Sequence, residues 1–489
     1  MTQMASAVRG VWGRSTKPVA IRLAIFLGVL LAPLVLAKLV TNPQRTRDAV
    51  LVVAALLILG LAWSLERRLL YAILIWFSVL GLVRRLLDVV STPTSADPVL
   101  LVGPLAMIAL VTIAAERGAF RQRTRLASAV LALNVLTILG AFNPIQGSLT
   151  GGLAGLLFVL VPTLAFWVGR SLVDDGVLAR LFKLAAVIAV LAATYGLDQT
   201  FNSFPSWDST WINAHQQDFL ALTVNGVPRA FASFSAPSEY GLFLAVGLIA
   251  WLVLGLRAAL PVTVIVIAGL GVALWYEGTR SVIVALLIAL AMIVGAWRRW
   301  RLVPSLAAAA ALLVMLPFAV NRLAPSGSAT ATTASVSASG SPFASRQIAG
   351  LSNPTNSKVS TLNAHLGLLR SGLTSAVHDP LGKGTGVISI AGGKFGGQSS
   401  GTEADPSNAA LAFGVPGLIA YLVILVAGLG GMYRLAARRR DALSLIALGV
   451  LVVTGFQWLN GGNYAVAFLP WLVLGWMDRS RLEAEPPAG

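Results

Sequence analysis

Long, uninterrupted runs of apolar residues dominate the chain, and most approach the about 20 residues that a membrane-spanning helix needs. They are continuous and not alternating, which favours helices over the strands of a membrane β-barrel. The pattern predicts an all-α polytopic transmembrane bundle of about 14 spans with both termini on one side. The runs occupy residues 21–41, 48–65, 69–83, 97–115, 126–142, 152–169, 180–197, 238–256, 260–276, 281–297, 303–320, 408–432, 442–459 and 463–477.

Two longer polar intervals interrupt this pattern, at residues 198–237 and 321–407. The second interval opens with small polar residues, so 326–345 is predicted to be disordered. Residues 358–378 predict an amphipathic helix, because apolar residues recur there at spacings of three and four. Pro380 then ends the helix. The apolar stripe comprises Val359, Leu362, Leu366, Leu369, Leu373 and Val377.

These intervals divide the chain into membrane segments and polar loops. The N-terminal third and the last 82 residues are predicted to be membrane helices, the latter followed by a short cytoplasmic tail. A central group of helices lies between the two loops. The predicted segments are residues 1–197, 198–237, 238–320, 321–407 and 408–489.

Composition agrees with a membrane protein, since the 489 residues are 57% hydrophobic and 11% charged. Mean hydropathy is +0.81. The absence of cysteine excludes disulfides, thiolate catalysis and cysteine-ligated metals. With only three histidines, a multi-histidine metal site is not expected either. No metal or other cofactor is predicted.

The distribution of basic residues predicts the orientation of the bundle. The chain has 36 Lys and Arg and a net charge of +17. If the N-terminus is cytoplasmic, 23 of them lie in cytoplasmic segments and 13 outside. Six of the 13 lie in the long loop, which exceeds the length of about 60 residues within which the positive-inside rule applies. Both termini are therefore predicted to be cytoplasmic, and both long loops extracytoplasmic.

Two arginines are predicted to lie at the outer mouth of the bundle. Arg229 occurs in VPRAFASFSAPSEYGLFLA before the eighth span, and Arg280 occurs in WYEGTRSVIVALL between the ninth and tenth. A guanidinium at headgroup level can hold a phosphate through two hydrogen bonds. The alternative is that both are interfacial anchors, or that Arg280 pairs with Glu277.

The candidate bases are one histidine and several carboxylates. His365 lies on or beside the apolar stripe, and an imidazole that titrates near neutral pH can accept a proton from an attacking hydroxyl. The alternative is an ordinary surface histidine. Glu239, Glu277, Glu403 and Asp405 are competing bases, although a role as ion-pair partner or helix-start residue is favoured for each. PLGKGTG, at 380–386, lacks the context of a nucleotide-binding loop and is interpreted as a turn.

Residues 225–425 resemble the O-antigen ligase and O-antigen polymerase family of bacterial membrane glycan transferases. The resemblance rests on the order of RAFASFSAPSEYGLFLA, GTRS, a long loop, a helix ending in PLGKGTG, and PSNAALAFGVPGL. It implies a polyprenyl-diphosphate-linked glycan donor, held by Arg229 and Arg280, and an acceptor hydroxyl activated by His365. The chemistry implied is metal-independent transfer at the anomeric carbon.

The resemblance leaves a polymerase and a ligase both open. Many relatives carry arginine near the position of His365, so a polymerase would use Arg370 or Lys358 differently. The predicted substrate-binding residues are Arg370, Lys358, Glu239, Glu277 and Asn408.

The expected partners are the donor, a glycan or lipid-glycan acceptor and membrane lipids, with no nucleic acid. The expected location is the bacterial cytoplasmic membrane, with an extracytoplasmic active site.

Two other classes of function remain open at this point. A secondary transporter of a small solute would show an inverted repeat and broken helices or buried charges near the middle of the membrane. A non-catalytic scaffold of an export complex would depend on the loops as a whole and not on single arginines.

Overall fold

The computed structural model describes residues 46–64, 66–90, 97–121, 123–215, 223–224, 227–254, 259–323, 342–358, 360–402 and 404–484. This part of the chain is almost entirely helical, apart from a small hairpin of β1 (Thr223–Val224) and β2 (Val227–Pro228). The helices are α1 (Thr46–Ser64), α2 (Glu66–Val90), α3 (Val102–Glu116), α4 (Arg125–Gly140), α5 (Leu149–Leu172), α6 (Asp175–Phe201), α7 (Ser206–His215), α8 (Pro237–Leu254), α9 (Leu260–Glu277), α10 (Arg280–Trp297), α11 (Leu302–Leu323), α12 (Pro342–Ser352), α13 (Leu362–His378), α14 (Ile390–Lys394), α15 (Asp405–Arg439), α16 (Ala442–Val453) and α17 (Tyr464–Ala484).

The prediction of an all-α membrane bundle is confirmed. Each predicted span after the first coincides with one of these helices, and the first span, 21–41, lies outside the described residues. Within the described part of the chain, eight helices are long and apolar enough to cross a membrane, and two more apolar helices, α4 and α16, are shorter. The number of spans and the sidedness of the termini stay predictions.

The predicted span 442–459 is wrong in its second half. Helix α16 ends at Val453, and the following residues form a turn in which Phe456 has a φ of 66°. The cause is Asp405, a fully buried carboxylate at the start of α15. It accepts hydrogen bonds from the backbone N–H groups of Trp458 and Leu459, the latter at 3.1 Å. The end of this apolar run therefore forms a turn instead of a helix, because the Asp405 carboxylate accepts hydrogen bonds from its backbone N–H groups.

The predicted span 69–83 is too short. Helix α2 continues to Val90 through charged residues whose partners lie on other elements. Arg84 Nε lies 2.8 Å from Asp97, and Asp88 pairs with Arg47. Charged side chains that are paired at the end of a helix do not have to end it.

The predicted disordered segment 326–345 ends too late. Residues 326–341 lie outside the described residues, but 342–345 form the first turn of α12. Proline suits the first position of a helix, which Pro342 occupies. Phe343 and Leu351 are buried and anchor the helix.

The predicted helix at 358–378 is observed as α13, although its apolar stripe does not form the buried face. Leu366 and Val377 are 52% and 75% exposed. The buried residues are Gly372 and Ala376, through which α13 packs against α15. At Gly372 an added Cβ would lie 2.6 Å from that of Ser407. Gly372 and Ala376 therefore form the packing face of α13, and a hydropathy pattern does not identify such small residues as a packing face.

Hydrogen bonds between distant helix ends define two ends of the bundle. At the first end, the starts of α8 and α17 meet, where Glu239 accepts a hydrogen bond from Ala465 N at 2.6 Å. At the second end, the start of α6 meets the ends of α15 and α17. There Asp175 accepts from Trp476 Nε1 at 2.9 Å and pairs with Arg439. We use these names, first end and second end, below.

The tightest helix pairing in the interior joins α5 and α17, which touch through glycines. A Cβ at Gly475 would collide with the carbonyl oxygen of Phe166, and one at Gly169 with that of Leu472. Close backbone approach through small residues is a general means of packing membrane helices, since lipid gives no hydrophobic drive between them. Buried Trp167 and Trp471 add large side chains to the same helices.

The Gly475→Ala substitution should lower the free energy of unfolding by about 1–3 kcal/mol, because a methyl group there meets rigid backbone. The measurement is thermal unfolding of the purified protein in detergent. Gly269→Ala on α9 is the matched control, since a Cβ there meets no heavy atom within 4 Å. Equal melting temperatures for the two variants would contradict the close approach of α5 and α17.

Candidate functional site

Arg229 and Glu277 form a buried ion pair at the first end. The Arg229 Nε donates to the Glu277 carbonyl oxygen at 3.0 Å, and its Nη2 contacts the Glu277 carboxylate and the Thr279 hydroxyl. Thr279 also donates to Glu277, through its backbone N–H at 2.9 Å and its hydroxyl at 2.6 Å. Arg229 therefore holds the turn between α9 and α10.

Glu277 is completely buried, in a space that Gly241 leaves open. A Cβ at Gly241 would lie 2.5 Å from the Glu277 carboxylate. Both of its carboxylate oxygens are occupied by Thr279 and Arg229. The structure thus gives Glu277 the role of counter-ion to Arg229, and its role in substrate binding stays a prediction.

Arg280 begins α10 and reaches the short helix α12. A Cβ at Gly350 would collide with Nη1 of Arg280, so the guanidinium occupies the space that only a glycine leaves there. Helix α12 is fixed in place by buried Phe343 and by Gln347, whose Nε2 donates to the Trp275 carbonyl at 3.3 Å. Arg280 is half-buried under this cover.

Arg346 adds a third guanidinium to this group and was not predicted. It lies on α12, within electrostatic range of both Arg280 and Arg229. Partial desolvation and the positive charge of Arg229 lower the pKa of Arg346. A guanidinium stays protonated under these conditions. Arg229, Arg280 and Arg346 form what we call the arginine cluster, in which Glu277 is paired with Arg229.

A buried ion pair positions the segment that carries Arg229. Arg85 Nε of α2 lies 2.6 Å from Asp208 of α7, and both side chains are almost fully buried. The Arg85 guanidinium also donates to the carbonyl oxygens of Phe234, at 2.7 Å, and Ala232. It lies 4.5 Å from the centre of the Phe231 ring. Arg85 thereby fixes the stretch just after Arg229.

Gln199 completes this support from α6. Its Nε2 donates to Asp208 at 2.7 Å, and its Oε1 accepts from the backbone N–H groups of Phe231 and Ala232, at 3.1 and 2.7 Å. Tyr195 donates to Asp208 at 2.6 Å. Because Ala232 has a φ of 48°, the turn needs such external bonds. The arginine cluster thus rests on a rigid network of buried polar groups.

His365 is exposed on α13, and its Nε2 lies 3.1 Å from the Thr361 hydroxyl of the preceding turn. Helix α13 packs against α15, whereas α12 packs against α9, α10 and α11. The histidine and the arginine cluster are therefore carried by separate groups of helices. Arg229 and Arg280 both lie at the α9–α10 turn, and the meeting of His365 with them stays a prediction.

Arg370 and Lys358, the other predicted loop residues, are also exposed. Arg370 lies on α13, while Lys358 precedes it in a turn where Lys358 N donates to Asn356 Oδ1 at 3.0 Å. Their positions leave both cations accessible to a ligand in solution or at the membrane surface.

Glu239 and Asn408 have structural roles, and their predicted substrate contacts stay predictions. Glu239 is fully buried and accepts from Ser235 N at 3.0 Å as well as from Ala465 N. Asn408 Oδ1 accepts from the backbone N–H and the hydroxyl of Thr402, each at 2.8 Å. Both side chains satisfy backbone donors where helices begin.

The PLGKGTG segment closes a break in α15. Gly414 inside that helix has φ 64° and ψ −152°, which interrupts the helical hydrogen bonds. Lys383 N and Gly384 N donate to the carbonyls of Leu411 and Ala412, at 2.8 and 2.9 Å. Gly386 N donates to the Gln146 side chain. These N–H groups are occupied by protein acceptors, which agrees with a turn and not with a phosphate-binding loop.

Two features of the site were not predicted from the sequence, and only one of them has a local sequence signal. Phe343, Gln347 and Leu351 recur every four residues after Pro342, so a helix carrying Arg346 could have been recognised. The pairing of Arg85 with Asp208 joins distant segments and leaves no local signal. Comparison of the whole chain with known family models and with curated proteins finds no match.

Proposed function

We propose that the protein transfers a glycan from a polyprenyl-diphosphate-linked donor to a sugar hydroxyl at the extracytoplasmic face of the bacterial cytoplasmic membrane. The observation that carries this proposal is the arginine cluster with its concentration of positive charge at the first end. A diphosphate diester bears about two negative charges at neutral pH, which this charge complements. The positive-inside rule supports placing the first end outside.

The three arginines of the cluster differ in how deeply their side chains are buried. Arg229 is buried and bound to Glu277 and Thr279. Arg280 is half-buried and Arg346 is exposed. In the proposed complex Arg280 and Arg346 bind the diphosphate oxygens, while Arg229 contributes charge and holds the α9–α10 turn in place. Bidentate guanidinium–phosphate pairs supply orientation together with charge.

The proposed step is a displacement at the anomeric carbon. The acceptor oxygen forms a bond to that carbon as the bond from the carbon to the diphosphate oxygen breaks. The bonding electrons leave with the polyprenyl diphosphate, where the cluster stabilises the added negative charge. The acceptor proton passes to a base, and no metal ion is required.

His365 is the proposed base in a ligase-type reaction. A positioned imidazole contributes about 10²–10⁴-fold to such a proton transfer. In this proposal the acceptor hydroxyl is bound beside His365 on α13, while the diphosphate is bound by arginines of α10 and α12. In a polymerase-type reaction the exposed Arg370 and Lys358 would instead bind the growing glycan on the same surface.

A transporter gains support from one feature, the break of α15 at Gly414 inside an apolar helix. The PLGKGTG segment, however, supplies hydrogen-bond partners to the backbone on both sides of this break; Val415 N donates to the Pro380 carbonyl at 3.0 Å. A broken helix that binds a transported ion would keep such carbonyls available. The glycan-transfer proposal accounts for the arginines as well, and we favour it.

The direct test uses the full-length protein in nanodiscs with a polyprenyl-diphosphate oligosaccharide and an acceptor glycan, in the presence of EDTA. We expect a longer glycan or a glycan–lipid product, with release of one polyprenyl diphosphate per linkage. Solute uptake by proteoliposomes, with no glycan product from any lipid-linked donor tested, would instead favour the transporter.

A further inference from the structure

A cavity of about 870 Å³ opens at the second end, away from the arginine cluster. It lies between the start of α6, at 173–176, and the last turns of α15 and α17. Buried Trp476 forms part of its wall, and Arg439 lies 5.6 Å from the centre of the Trp476 ring. None of the residues assigned to glycan transfer lines this cavity.

Five arginines converge on this one cavity: Arg434, Arg438, Arg439, Arg479 and Arg481. Among the described residues that line it, Asp174 and Asp175 are the acidic ones. Both have partners, since Asp174 pairs with Arg67 at 2.9 Å and Asp175 pairs with Arg439. The lining therefore has a large excess of positive charge, which favours an anion.

These arginines are not a random sample of the basic residues at this end. The α10–α11 turn carries Arg299 and Arg301 on an exposed surface, as a positive-inside bias alone would produce. The arginines of the cavity are mostly exposed as well, but they extend from α15 and α17 toward a common space. The Arg481 guanidinium packs onto α15, because a Cβ at Gly431 would lie 3.1 Å from its Nη1.

The cavity lies at the depth of the lipid headgroups. After its break at Gly414, α15 continues over residues 415–439, which are 25 residues and about 37 Å long, whereas the hydrocarbon core is about 30 Å thick. Its arginine-rich last turns therefore extend past the core. Trp476 is typical of residues at that boundary. Basic pockets between membrane helices at this level bind phosphate-bearing headgroups.

We propose that this cavity binds a phosphate group, supplied by an anionic glycerophospholipid headgroup or by a free phosphate compound. Arg438 and Arg481 contact the phosphate from α15 and α17, and the start of α6 closes the third side. The site is independent of glycan transfer. It would tie the ends of three helices together through one shared anion.

The test measures binding to the full-length protein in detergent by native mass spectrometry and by the shift in melting temperature. Three probes are compared: short-chain phosphatidylglycerol, short-chain phosphatidylcholine and inorganic phosphate. The Arg438→Gln/Arg481→Gln variant should bind its preferred phosphate probe about ten-fold more weakly than wild type. Preference for phosphatidylglycerol over both other probes identifies a lipid headgroup, whereas protection by inorganic phosphate alone identifies a free anion.

The matched control is Arg299→Gln/Arg301→Gln, which removes the same charge at the same end but outside the cavity. It should bind as wild type does. Equal loss of probe binding in both double variants would show that general surface charge causes the effect, and it would overturn the proposal. So would unchanged binding in the cavity variant, or binding of phosphatidylcholine as tightly as phosphatidylglycerol. Circular dichroism of each variant checks that the helices are intact.

Discussion

The Arg280→Ala variant is expected to lose glycan transfer by about 10²–10³-fold while remaining in the membrane at wild-type amount. The reason is that Arg280 begins α10 at the centre of the arginine cluster, where negative charge would develop on the departing diphosphate. It is half-buried beneath α12, so its field is less screened than that of a surface arginine. The measurement is the rate of product formation in nanodiscs at saturating donor.

Two comparisons make this result specific. Arg280→Lys keeps the charge but loses the planar pair of donors, so it should recover only part of the rate. Arg299→Ala removes an exposed arginine at the opposite end of α10 and should leave the rate unchanged. If Arg280→Ala transfers glycan at the wild-type rate, the arginine cluster is not the donor site.

The Arg229→Met variant is expected to lose about 3–5 kcal/mol of unfolding free energy, because Glu277 would remain buried without its counter-ion. Removing the second charge as well, in Arg229→Met/Glu277→Gln, should restore most of that stability. The glutamine retains an oxygen for the Thr279 donors and has nearly the volume of glutamate. Unfolding in detergent, followed by tryptophan fluorescence, measures both variants.

The double variant also separates the two functions of Arg229. If Arg229 contributes charge to the donor site, the restored protein stays slow in glycan transfer. Recovery of the full rate would limit Arg229 to holding the α9–α10 turn. A double variant as unstable as Arg229→Met would show that the loss does not come from an unpaired carboxylate.

Hydropathy located the helices well because a membrane helix must be apolar along its whole length. It failed where buried polar contacts replaced that requirement. Helix α2 continues past its apolar run, since Arg84 and Asp88 are paired with other segments. Helix α16 stops early because Asp405 binds the turn that follows it. No pattern within a single segment reports such partners.

The candidate site was only partly visible in the sequence for a similar reason. Arg229 and Arg280 were recognised from polar motifs beside apolar runs, and both lie within electrostatic range of Arg346. The pairing of Glu277 with Arg229 depends on tertiary structure, because the two lie on different elements. Arg346 directly follows a low-complexity stretch, and the helix that carries it was not predicted. The apolar stripe predicted the wrong packing face for α13, because Gly372 and Ala376, not leucines, make its contact with α15.

The closure of α15 by the PLGKGTG segment has a consequence for the order of folding. The bonds from this segment to Leu411 and Ala412 join residues fewer than about 30 positions apart, so they can form as soon as both have been synthesised. The bond from Gly386 to Gln146 spans 240 positions and needs α5 already in place. Because the shorter connection has the lower loop-closure cost, we expect the long loop to pack first with the helix that follows it and then to dock onto the earlier half of the chain.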